Sequence, residues 1–137
     1  MRVLLDTNVL LSAFAVRGLC SDVLREVLQR HELLWCDQVV LEVERNLARK
    51  FRMPAGEIAS LLGFLEDAAA RVEPAPGVAV PGLDQGDEAV VRAAVGGRAD
   101  FLVTGDAAIL RIGRCGGTEI LSPRAFRERM GGGGARS

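Results

Sequence analysis

A run of three apolar residues, Val3-Leu-Leu5, stops at Asp6-Thr7-Asn8 before the apolar pattern resumes at Val9. This interruption constrains the fold more than any other stretch. A short continuous apolar run reads as a buried strand. In an open α/β sheet, ligands bind in the crevice beyond the carboxyl ends of the strands, so Asp6 stands where chemistry is usually found. Asp6 or Thr7 equally suits the cap of a helix beginning near Asn8. Both readings stay open from these residues alone.

Downstream, the pattern alternates between helices and strands. Val9 to Val16 continues as a short helix ended by Gly18. Ser21 or Asp22 then caps a second, with Val23, Leu24, Val27 and Leu28 at helical spacing. Leu33 to Cys36 reads as the second strand, with Asp37 as a cap. From Gln38 to Phe51, the residues Val39, Val40, Val43, Leu47 and Phe51 form one apolar stripe. Pro54 breaks it, and Glu57 to Ala70 supplies another helix with Ile58, Leu61, Leu62 and Leu65 inward. Val72 suits a short edge strand, and 73–82 is a Pro- and Gly-rich connector. A helix from Asp87-Glu88 to about Val95 closes at Gly96-Gly97, and Phe101 to Thr104 is a buried strand followed by Asp106. A helical turn, Ala107 to Ile112, leads to a strand at Glu119 to Leu121. Ser122-Pro123 then caps a last helix through Met130, with 131–137 a flexible Gly-rich tail. The expected class is α/β: one domain over 1–130, with a central, mostly parallel sheet of about five strands and helices on both faces.

A length of 137 residues suits one domain, and 49% hydrophobic with 26% charged residues is ordinary for a globular protein. The net charge of −1 excludes a protein that coats nucleic acid by bulk positive charge, though not a local basic path. Lys50 is the only lysine; the excess of arginine over lysine fits a GC-rich coding sequence. Cys20, Cys36 and Cys115, with His31 the single histidine, support neither a disulfide framework nor a zinc site and fit a reducing cytoplasm. Asp6 and Asn8 interrupt the apolar N-terminus too early for a signal peptide, and no apolar run is long enough to span a membrane.

Two strands each deliver an aspartate just past their ends, Asp6 and Asp106, and parallel strands end on the same edge of a sheet. The helix opening with Asp87-Glu88 feeds the second of these strands, so its N-terminus belongs to that edge too. Such acids repel unless protonated, paired with bases, or bridged by a cation. An all-oxygen set favours Mg²⁺ or Mn²⁺, which can activate a water for attack on a phosphodiester. Taken singly, Asp106 suits an N-cap, and Asp87 and Glu88 suit the positive end of a helix dipole.

Four stretches in order, Leu4-Leu-Asp-Thr-Asn-Val-Leu-Leu11, Glu42-Val-Glu-Arg-Asn-Leu47, Asp87-Glu-Ala-Val-Val-Arg-Ala-Ala94 and Ala99-Asp-Phe-Leu-Val-Thr-Gly-Asp106, resemble the PIN-domain nucleases. The likeness is strongest to the VapC-like toxins and spans Met1 to about Met130. It implies a Mg²⁺- or Mn²⁺-dependent endoribonuclease that cuts single-stranded RNA, with a small antitoxin protein as partner and a homodimeric state. It assigns Asp6, Glu42 and Asp106 as catalytic, metal-binding acids. The third acid is Glu88 by its distance to Thr104, with Asp87 beside it as substitute. Asn8 and Thr104 would hold the acids or a metal-bound water by hydrogen bonds. The choice of Glu42 rests on the resemblance, since Glu42 and Glu44 flank the apolar stripe alike.

Arg45, Arg49, Lys50 and Arg52 at the end of one helix are the expected RNA contacts, with Arg124, Arg127 and Arg129 a second basic group. With five Phe, one Trp and no Tyr, backbone shape rather than base stacking would select the target. The alternatives are a PIN-fold nuclease of RNA maturation or DNA flaps, and a PIN module that binds RNA or protein without cutting. An Asp-nucleophile phosphatase would need a second Asp where Asn8 stands.

Overall fold

The computed structural model describes residues 1–135. Its elements are β1 (Arg2–Leu5), α1 (Thr7–Ala15), α2 (Leu19–Arg30), β2 (Glu32–Trp35), α3 (Asp37–Arg49), α4 (Ala55–Ala68) and β3 (Ala70–Arg71). They continue as α5 (Gln85–Gly96), β4 (Phe101–Val103), α6 (Ala107–Leu110), β5 (Arg114–Cys115), β6 (Thr118–Leu121) and α7 (Pro123–Ala135). The expected tail begins within α7, and 136–137 lie outside the described residues.

The strands form one sheet in the order β3-β2-β1-β4-β6-β5, parallel throughout except for β5. In β1, Val3 pairs with Leu33 on one side and Phe101 on the other. Val3, Leu4 and Leu5 are wholly buried, so helices cover both faces of the sheet. The chain winds outward from β1 through β2 to β3, then returns to place β4 on the opposite flank of β1. The order therefore reverses between β1 and β4, and their carboxyl ends border the crevice.

β5, a sixth strand absent from the sequence reading, spans two residues and joins β6 through Gly116-Gly117. Two residues carry no apolar alternation to betray a strand. α1 begins earlier than expected because Asp6 caps it, and α2 starts at Leu19 rather than after Ser21. The Ser21 hydroxyl instead folds back on the backbone of Gly18, accepting from its N–H and donating to its carbonyl. α3 ends at Arg49, leaving Phe51 at 39% exposure rather than in the core. In α4, Ile58 and Leu65 are buried, whereas Leu61 and Leu62 are only partly so. The edge strand expected at Val72 lies just before it, at Ala70–Arg71.

Gly96 does more than close a helix. The connector runs alongside α5, with Ala75 N–H donating to the Arg92 carbonyl and Arg92 Nε to the Ala75 carbonyl. A Cβ on Gly96 would overlap the Glu73 carbonyl and come within 2.9 Å of Ala75 N. Alanine ordinarily favours a helix interior over glycine by about 1 kcal/mol. Here we expect Gly96→Ala to lower the unfolding free energy by about 2 kcal/mol through backbone overlap. Urea denaturation at constant m-value checks this; a stabilised variant would show that the connector yields freely.

Candidate active site

Each acid is set at the crevice by the start of a helix. Asp6 follows β1 and caps α1, its Oδ1 accepting from Thr7 N–H at 2.8 Å. Its other oxygen accepts from the buried Thr104 hydroxyl at 2.7 Å. Thr104 follows β4 and also accepts from Asp106 N–H at 3.0 Å, so one hydroxyl links the two strand ends. Asp106 caps α6, its Oδ1 accepting from Ala108 and Ile109. The capping and functional readings of these aspartates are thus compatible, because a capped carboxylate retains free lone pairs.

Glu42 lies in the second turn of α3, turned toward the crevice. Its Oε1 accepts from the Thr7 hydroxyl and its Oε2 from the Gln38 amide, each at 2.6 Å. In α5, Asp84 is the N-cap and accepts from Asp87 N–H at 2.8 Å. The Asp87 carboxyl is pushed up to about 6, first by burial and then by the charges of Asp106, Asp84, Asp6 and Glu42. Burial likewise raises Asp6; the Thr104 and Thr7 hydrogen bonds oppose the rise, and Glu42 and Asp106 add to it. The structure therefore brings Asp6, Glu42, Asp87 and Asp106 into one field. Glu88, the expected third acid, is not among the charges acting on Asp87. Asn8 is exposed and makes no side-chain hydrogen bond among the described residues.

Among the described residues, no arginine, lysine or histidine pairs with any of these four acids. Nor do three acidic, thiol or imidazole side chains there stand close enough to enclose a metal. An open, oxygen-only set suits a cation that keeps several waters and takes one or two carboxylates, as Mg²⁺ does.

The basic residues divide differently. Arg49 lies seven residues beyond Glu42 on α3, roughly 10 Å along the axis and away from the crevice, with Lys50 and Arg52 beyond it. Arg45 is one turn from Glu42 and exposed. Arg127 reaches Glu26 at 3.7 Å and Arg129 pairs with Glu119 at 2.8 Å, both serving to dock α7. Arg124, after the carboxyl end of β6, is exposed and has no ion pair among the described residues.

Thr7 was read in the sequence only as a candidate helix cap, and Gln38, Asp84 and Gly86 were not singled out. The spacing Asp84-x-x-Asp87 is that of an N-cap with its third helical residue. Gln38 and Glu42 stand four apart on one helix face. Both signals are too common to have chosen these residues unaided.

No curated protein matches the chain in sequence. The crystal structure of VapBC2 from Rickettsia felis bound to a DNA fragment from their promoter contains a chain similar in fold. That match has a TM-score of 0.62 at 14% identity, covering 89% of this chain and 98% of that one. The family model of the PIN domain matches residues 2–108, which include β1, the Glu42 helix, the first turn of α5 and the β4–Asp106 turn. The chain belongs to the PIN-domain family.

Proposed function

We propose that the chain is a divalent-metal-dependent endoribonuclease that cuts single-stranded RNA, the VapC-like toxin of a toxin–antitoxin pair. The observation that carries this reading is the set of four acids with no basic partner among the described residues, where burial and the neighbouring charges raise Asp87 to about 6. Asp6, Glu42, Asp87 and Asp106 would hold Mg²⁺ or Mn²⁺, with Asp87 in preference to Glu88 as the third acid. The ion would supply an activated water and charge stabilisation at the scissile phosphate. Thr104 and Thr7 orient Asp6 and Glu42, and the Asp84 cap fixes the first turn of α5.

Similarity to a chain of the VapBC2 complex supports a small protein antitoxin as partner, and three free cysteines fit the cytoplasm as the place of action. Leu41, Phe51 and Phe64 leave apolar surface on and beside α3 and α4 for a homodimer. Arg45, one turn from Glu42 on α3, and Arg124, just past the carboxyl end of β6, are exposed cations that would contact RNA.

The test is incubation of purified, antitoxin-free protein with labelled single-stranded RNA and, separately, with DNA, in Mg²⁺, Mn²⁺ or EDTA. Internal cleavage of RNA that needs the metal is the expected result. Intact RNA under every metal, by a folded protein, would favour the binding module instead; cleavage of DNA alone would favour a flap nuclease.

A further inference from the structure

Gln38 lies outside the acid set, yet it occupies half of the Glu42 carboxylate. Its Nε2 donates to Glu42 Oε2 at 2.6 Å, while the Thr7 hydroxyl donates to Oε1 at 2.6 Å. Glu42 is therefore gripped from its own helix and from the turn after β1. The Asn46 side-chain amide donates to the Glu42 backbone carbonyl at 2.7 Å, so it leaves the carboxylate untouched.

The N-terminus of α5 closes over this pair. A Cβ on Gly86 would lie 3.1 Å from Gln38 Nε2, 3.2 Å from Glu42 Oε2 and 3.6 Å from Asp84 Oδ1. The first two contacts are tighter than ordinary packing, so a side chain at position 86 would push the pair aside by a few tenths of an ångström. A long, flexible glutamate loses rotamer freedom when it binds a metal, and a carboxylate already held loses less. A neutral donor does this without cancelling the negative charge that attracts a cation, as lysine or arginine would.

We propose that Gln38 is a positioning residue, seated through the absence of a side chain at Gly86, that holds Glu42 ready for a divalent cation. The proposal rests on the metal-dependent reading above and adds a determinant of metal affinity to it. Gln38 itself touches neither substrate nor metal; it acts through Glu42.

The experiment is Mn²⁺ titration followed by electron paramagnetic resonance of the free ion, on wild type, Gln38→Leu, Gly86→Ala, Glu42→Gln and the Gln38→Leu/Glu42→Gln double variant. Circular dichroism melting of each metal-free protein accompanies it. We expect Gln38→Leu to weaken Mn²⁺ binding roughly 10-fold. Gly86→Ala should weaken it in the same direction with Gln38 intact. In the Glu42→Gln background, Gln38→Leu should cost nothing further, because its effect passes through a carboxylate that is no longer there. A purely structural residue would lower melting temperature without this non-additivity. Unchanged affinity in Gln38→Leu, or an equal loss in both backgrounds, overturns the proposal and leaves the nuclease reading standing. Absence of Mn²⁺ binding by the wild type overturns both.

Discussion

On the proposed nuclease reading, Asp87→Asn will cut metal-dependent RNA cleavage roughly 100-fold or more and yet raise the melting temperature of the metal-free protein at pH 7.5. The two effects have one cause. Burial first, and then the charges of Asp106, Asp84, Asp6 and Glu42, lift the pKa of Asp87 from 3.8 to about 6. Its folded value exceeds its unfolded one, so protonation favours the folded state. The associated stability is fully present below pH 3.8 and is lost as pH rises through about 6. At pH 7.5 the wild type carries the whole penalty. A shift of this size corresponds to about 3 kcal/mol, which solvent screening at a partly exposed carboxylate reduces to about 1 kcal/mol. Asparagine removes it, raising the melting temperature by roughly 3 °C. The gain should shrink at pH 5, where wild-type Asp87 is largely protonated. Loss of a carboxylate proposed to hold the metal would remove several kcal/mol of charge stabilisation, which corresponds to that fall in cleavage. Glu88→Gln, made in parallel, should cleave within a few-fold of wild type. The reverse ranking of the two variants would return the third acid to position 88.

Thr104→Val should be the most destabilising conservative substitution in the crevice. The two side chains are nearly the same shape, but the Thr104 hydroxyl donates to Asp6 Oδ2 and accepts from Asp106 N–H. Valine leaves a buried carboxylate oxygen without its donor and an amide without its acceptor. Each unpaired group costs about 1–3 kcal/mol, so the expected loss is about 3 kcal/mol, or roughly 10 °C in melting temperature. The deficit should widen from pH 5 to pH 8. Burial already lifts Asp6, and losing the Thr104 donor lifts it further, so the variant is penalised most where Asp6 must ionise. Thr118→Val is the control. Thr118 is also buried, but its hydroxyl makes a single bond to the Ala99 carbonyl at 2.7 Å, and its loss should cost about 1 kcal/mol. Chemical denaturation of both variants at the two pH values decides. Equal, small losses would mean that Thr104 does not join the strand ends energetically.

Much of this arrangement was legible in the chain because it follows from topology. The apolar runs before Asp6 and Asp106 placed both acids at one edge of a parallel sheet, and β1 pairing with β4 makes those edges adjacent. Glu42 was beyond periodicity, since the Thr7 hydroxyl that turns it inward lies 35 residues away in sequence. The choice between Asp87 and Glu88 depended on helix phase. Neighbouring residues point about 100° apart on a helix, and a boundary uncertain by one residue exchanges them. The basic group at the end of α3 is spread along the helix, Arg45 one turn from Glu42 and Arg49 two turns from it. Its clustering in sequence was evident, but a helix that starts at the crevice carries its far end away from it.

The sheet finishes on both flanks with a strand of two residues, β3 and β5. So brief a border exposes few free amides and carbonyls, too few for another chain to extend the sheet by lying alongside it. Fibrillar self-association through the borders is thereby discouraged, and a protein ligand cannot gain its affinity from backbone pairing. A protein partner would instead read side chains on the helical faces, where single substitutions could change its identity without disturbing the strands that carry the acids.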